Sequence, residues 1–272
     1  MTLVELMVSI TITLIVVAAL IALFLNVSSS QREMGKINQQ IETGRISTFL
    51  LENEIALAGF WENYVPQFDD VTLTTAPANV PTAVPPSTGV PDPCLAYLPA
   101  APWAQDYKRS LVDIPIQTYD TVPATCSTLL TNQKSGTDVL VVRHAESCLP
   151  GTPNCEAYST DKLYFQSWQW GTSGAGPPSS FDLSTATDVP APTPLHARDC
   201  VTPSVKRKFV SDIYYIRDYA ETAADGIPTL MRSRFDFASG ALGPQAPVPL
   251  VEGVEGFQVE LGLDTLSSTG AA

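Results

Sequence analysis

Apolar and polar positions divide the 272-residue chain into three regimes. Between Glu5 and Arg32 no side chain carries a charge, and the core of that run, residues 6–25, is almost wholly apolar. As an α-helix those residues span ~30 Å, about the hydrocarbon thickness of a bilayer. Beyond them the apolar positions thin out. Ile37, Ile41, Ile46, Phe49, Leu50 and Leu57 recur at roughly helical spacing among Gln, Asn, Glu and Arg. No proline precedes Pro66, so one helix is predicted over 2–58, ~85 Å long. Gly35 and Gly44 each weaken it by about 1 kcal/mol. The second-half stripe predicts a half-buried face lying across a sheet, and its heptad register fails, which disfavours an independent coiled coil. Gly59 is the predicted helix stop, after which Phe60 and Trp61 fold back onto the sheet.

The third regime is β-rich. Residues 71–98 are Pro-, Thr- and Ala-rich without periodicity and read as a surface loop, ordered at Cys94. β-branched and aromatic runs with partial alternation predict strands at 138–145, 162–170, 208–218, 229–237 and 250–261. A second Gly/Pro/Ser-rich insertion covers 171–203. One long helix followed by strands predicts an α+β fold, with an antiparallel β-sheet packed on the helix. The domain reading is a hydrophobic helix segment at 1–28, its amphipathic continuation at 29–60, and a β-rich globular domain at 61–272.

Charge and cysteine narrow the function. Lys plus Arg number 15 against 28 Asp plus Glu, a net charge of −13. That balance disfavours binding to nucleic acid or anionic lipid, which needs dense positive charge. The cysteines are Cys94, Cys126, Cys148, Cys155 and Cys200, with no C-x-x-C pair. Cys148 and Cys155 bracket the turn-rich "LPGTPN", which a disulfide closes readily. Cys94, Cys126 and Cys200 leave three choices for a second bridge and one thiol over. This usage suits a periplasm or cell surface.

Catalytic chemistry is not expected. His144 and His196 are the only histidines. His144 lies near Cys148, but a metal needs at least three ligands in a shared geometry, and no spacing specifies them. No G-x-S-x-G, H-E-x-x-H or Walker pattern occurs. "GTSGAG" leads into "PPSS" instead of a helix and reads as a loop. The cluster Lys206-Arg207-Lys208 reads as a solvated strand end. Trp61, Trp103, Trp168 and Trp170 read as core or loop anchors. No cofactor or metal is expected, and the protein is read as a non-enzyme.

The start of the chain poses the sharpest question. A signal anchor carries basic residues ahead of its apolar stretch, whereas here Arg32, Lys36 and Arg45 all follow it. The positive-inside rule then opposes the compartment that the cysteines imply. The conflict vanishes if a short basic leader preceded Met1 and was removed, so a mature amino terminus is expected at Met1. Glu5, at the edge of the apolar run, costs a few kcal/mol to bury unpaired. Its partner is expected to be an α-amino group, and one on a neighbouring copy would set the stagger between helices. The plainer reading is a carboxylate at the positive end of the helix dipole.

At these residues the chain resembles the type IV pilin family. "MTLVELMVSITITLIV" is similar to a mature pilin start, with Met1 where most members have an N-methylated phenylalanine and Glu5 on the family's glutamate. "GRISTFLLENEIALAGFWEN", "SGTDVLVVRHAE", "IYYIRDY", "GIPTLMR" and "LVEGVEGFQVELGLD" resemble PilW-type minor pilins, in that group's order. Ala22 departs from the proline of many major pilins. The ending "DTLSSTGAA" falls where PilW-like proteins continue, so a truncated or short member is expected.

The resemblance implies a structural subunit of a type IV pilus. It implies cleavage and N-methylation by a prepilin peptidase, and packing through the helix against other pilins and minor pilins. An inner-membrane assembly platform is implied as a partner, with the protein anchored there, its body periplasmic, before it enters the extracellular pilus. A type II secretion pseudopilin of the J class is the sibling reading. A membrane-tethered periplasmic binding protein or enzyme is the rival from another class.

Overall fold

The computed structural model describes residues 2–64, 89–169, 180–189, 195–199, 201–238 and 240–262. Helix α1 runs Leu3–Leu57 without interruption. Its hydroxyl residues stay helical by bonding back along the axis: Ser9 Oγ donates to the Glu5 carbonyl at 2.8 Å and Thr13 Oγ1 to that of Ser9 at 2.7 Å. The helix ends where Gly59 adopts φ +75°, a conformation that favours glycine. The Gly59 N–H donates to the Arg143 carbonyl at 3.0 Å, and a Cβ there would lie 3.3 Å from Pro115 Cγ. Phe60 and Trp61 then turn into the globular body as expected. Trp61 is buried, stacks on Phe209, and donates from Nε1 to the Val112 carbonyl at 3.1 Å.

After α1 come α2 (Gln105–Asp113), β1 (Ile116–Tyr119), β2 (Val139–Ala145), β3 (Tyr164–Ser167) and β4 (Phe181–Ser184). The chain continues through β5 (Lys206–Arg217), β6 (Thr229–Ala238), β7 (Ala241–Pro244) and β8 (Val248–Glu252). All strand pairings are antiparallel, so the fold is α+β with an eight-stranded antiparallel sheet. The long β5 organises it, pairing with β2, β3 and β6.

Both faces of the central strands are covered, because alternate side chains point to opposite sides. Leu140, Val142, Tyr214, Ile216 and Leu230 form one cluster, closed by Leu50, Leu51 and Ala58 and by Val254 and Phe257. Val139, Val141, Ile213, Tyr215 and Met231 form the opposite one, under Cys126 and Leu130. A third, aromatic cluster joins Trp61, Phe165, Phe181, Phe209 and Phe235 to Leu111 and Val112 of α2.

Several expectations are corrected. Ile37, Ile41 and Phe49 are 52%, 64% and 67% exposed, and Ile46 is exposed as well, instead of half-buried. The chain divides into two compact units, Met1–Thr48 and Phe49–Ala272, so only the last turns of α1 contribute to the sheet's core. The strand expected at 250–261 stops at Glu252, where Gly253 takes φ +81°. Its apolar positions still reach the core, with Phe257 accepting from the Asp138 N–H at 2.8 Å and the Val259 N–H donating to Asp138 Oδ2 at 2.7 Å. The strand expected at 162–170 is trimmed to β3, while the insertion at 171–203 contributes β4. Helix α2 and strand β1 were not foreseen. Most of the 71–98 loop lies outside the described residues.

Candidate functional site

The N-terminal unit presents its apolar side chains outward. Leu3, Leu6, Ile10, Leu14, Leu20 and Phe24 are each more than half exposed. This is one helix long and apolar enough to cross a membrane. Glu5 sits at its start, where the Thr2 N–H donates to Oε2 at 2.8 Å. This is half of a capping box: the carboxylate three positions into the helix satisfies a first-turn donor that no carbonyl can reach. Among the described residues, Glu5 Oε1 has no partner. A groove runs from Glu5 past Ser9 and Thr13 to Val17, walled by Leu6, Ile10 and Leu14. Met1 lies outside the described residues.

At the other end of α1, in the globular unit, a polar cluster interrupts the apolar seam between helix and sheet. Asp212 of β5 is fully buried, and Arg234 of β6 grips it in a fork, Nε to Oδ1 at 2.9 Å and Nη2 to Oδ2 at 2.6 Å. The two residues face each other in the β5–β6 register, which sets the fork. Arg232 Nε is 4.0 Å from Asp212, and the Tyr214 hydroxyl 3.4 Å. Glu54 of α1 adds a second carboxylate, 3.9 Å from Arg234 Nη2 and 3.6 Å from His144 Nε2. The His144 contact, with Arg234 and Arg232 behind it, holds the Glu54 carboxyl below its usual range against the opposing effect of burial.

The cluster Lys206-Arg207-Lys208 is not a solvated strand end. Arg207 pairs with Glu62 at 3.2 Å, and Lys208 bridges Glu156 at 3.0 Å and Asp236 at 3.1 Å. Lys162 joins the same carboxylates. Arg207 and Lys208 of β5 thus meet acids far away in sequence, Glu62 and Glu156 in loops and Asp236 in β6, pairings that local sequence does not display.

Cys148 and Cys155 are bonded, with Cα atoms 5.7 Å apart. The second bridge joins Cys94 to Cys126, Cα atoms 5.3 Å apart, and ties the end of the first loop to the turn before β2. Cys200 and Trp170 lie outside the described residues. Trp61 is a core residue and Trp103 packs against the same aromatic cluster through Phe235, with Tyr97 and Tyr107 as edge-on neighbours. Trp168 is half-buried at the end of β3. Among the described residues, no three His, Cys, Asp or Glu side chains are grouped to hold a metal. His196 lies in an isolated bridge to Pro203.

Residues 213–272 match the family model described as type IV pilus-assembly protein W. Over those 60 residues the chain is similar to the PilW family, which supports a PilW-like type IV pilus protein. The PilW-like region begins inside β5 and takes in β6, β7 and β8, so it contains Arg232 and Arg234 but neither the helix nor Glu54. Three of the segments that carried the resemblance, "IYYIRDY", "GIPTLMR" and "LVEGVEGFQVELGLD", fall wholly within it. No curated protein and no solved structure matches the chain. The match supports a role related to type IV pilus assembly, and the apolar helix fits a membrane-anchored protein.

Proposed function

We propose that this PilW-like protein is a non-enzymatic minor pilin, a structural subunit that acts in pilus assembly and priming. It waits in the inner membrane with its globular body in the periplasm, and passes into the extracellular filament by exchanging lipid for neighbouring helices. One observation carries this reading: an apolar helix segment lies exposed along its whole length, with one carboxylate at its start. Lipid tails are as apolar as leucine, so greasiness alone gives helices no reason to leave lipid for one another. A buried charge that needs a counter-charge does. Thr2 occupies Oε2 of Glu5, which leaves Oε1 for the amino terminus of the adjacent subunit. The capping box thus orients the carboxylate without consuming it.

Replacing Glu5 with Ala is expected to leave the protein membrane-inserted yet absent from sheared fibres. Normal incorporation of that variant would defeat the reading and favour a simple tether. Processing by a prepilin peptidase predicts an N-methylated Met1, which mass spectrometry of the native protein detects.

A further inference from the structure

His144 occupies an unusual position for a buried imidazole. It lies on β2 with its side chain 6% exposed, and both ring nitrogens face acceptors. Nδ1 is 2.9 Å from the Ala145 carbonyl oxygen, and Nε2, which makes no hydrogen bond, is 3.6 Å from Glu54 Oε2. A neutral imidazole has one N–H and serves one acceptor, whereas an imidazolium serves two. With the proton on Nδ1 alone, the bare Nε2 lone pair points at a carboxylate and the contact is repulsive. The surroundings are otherwise balanced. Arg232 and Arg234 of β6 carry two positive charges, set against Asp212 of β5 and Glu54 of α1. The Tyr214 hydroxyl completes the ring of polar groups.

We propose that Glu54 and His144 form a proton-dependent latch that fastens the end of the long helix to the sheet. With both ring protons in place the latch closes, bridging the Ala145 carbonyl to the helix carboxylate. Loss of one proton leaves Leu50, Leu51 and Ala58 to hold the helix end by apolar contact. Glu54 stays ionised in mildly acidic solution, because its neighbours hold it below the usual carboxylate range.

The test is hydrogen exchange of the backbone amides of residues 49–57 in the full chain, held in detergent micelles. After correction for intrinsic exchange, protection near pH ~5.5 is expected to exceed that near pH ~8 by about fivefold, as for a part-exposed ion pair. Glu54→Gln and His144→Phe each abolish that difference. Equal protection at both pH values in the native chain overturns the latch, and so does a difference that survives Glu54→Gln. Should His144→Phe fail to fold, nitrogen spectra of the native imidazole decide the matter. Two protonated ring nitrogens near pH ~5.5 support the latch, and a bare Nε2 at that pH overturns it.

Discussion

The two compact units of this chain solve the same problem in opposite ways. In Phe49–Ala272 the apolar side chains are buried in three clusters, and lone charges such as Asp212 find partners within the chain. In Met1–Thr48 the apolar side chains are exposed, and the polar groups are satisfied within a turn or so of their own helix. The globular unit covers its core with its own side chains. The helix is stable as secondary structure but incomplete as a folded surface, and needs lipid or other helices to cover it. The charged residues mark the contrast: Asp212 is clamped by Arg234, while Glu5 Oε1 has no partner among the described residues.

Core truncation should break the comparison most strongly. Trp61→Ala removes the indole stacked on Phe209 and is expected to cost about 3–5 kcal/mol in the globular unit, read by denaturant unfolding. Membrane insertion of the helix should be unchanged. Next come the disulfides, ordered by loop length. Cys94 and Cys126 are separated by 32 residues and Cys148 and Cys155 by 7. Replacing the first pair with serines should cost about 3–4 kcal/mol, and the second about 2 kcal/mol. Equal losses would show that chain entropy is not what these bridges contribute.

Acid should weaken the globular unit. The carboxyl of Glu156 is held low by Lys162 and Lys208, and that of Asp236 is low despite burial because the Phe237 N–H and Lys208 outweigh it. Glu54 behaves alike. Carboxyls lowered in the folded state contribute stability that is present above their unfolded range and lost as pH falls through the folded values. The contribution of these carboxyls to thermal unfolding should therefore be level above pH ~5 and fall below it, by roughly 2–4 °C for each kcal/mol lost. Asp225, which accepts N–H bonds from Ala220, Glu221, Thr222 and Ile227, is held at about 2 and should be among the last to protonate. The smallest effect belongs to the helix. Ile37→Ser should change the stability of the isolated protein by no more than about 0.5 kcal/mol, because the side chain is already exposed. A larger loss in assembled filaments than in the isolated protein would locate the missing cover.

Much of this was legible before any coordinates. A stretch without proline or charge, followed by helical spacing as far as Gly59, is local information, and a helix closes its hydrogen bonds within four residues. The runs that became β2, β5 and β6 were legible too, since buried central strands read as β-branched blocks. Helix α2 was not, for its nine residues are too few to be stable alone and are held by burying Leu111 and Val112 among aromatics from β3 to β6. Strand β4 was hidden in an insertion because four residues carry little periodicity. The ion pairs were invisible as pairs, although one signal was available. Arg143 in "VLVVRHA" and Asp212 in "FVSDIYY" are single charges in apolar strands, which marks them as buried. Arg143 is fully buried, donates to the Ile114 carbonyl at 3.0 Å, and is pushed down to about 10 by burial.

The sequence by itself determined what depends on neighbours along the chain: the unbroken helix, its apolar first half, the carboxylate at its start, and the strand-forming runs. Only the tertiary structure decided which distant side chains meet. It joined Cys94 to Cys126, closed Arg234 on Asp212, and brought Glu54 to His144 across 90 residues. The physical reason is that a helix is specified by bonds four residues apart, whereas a charge pair or a disulfide depends on where the whole sheet has carried its ends.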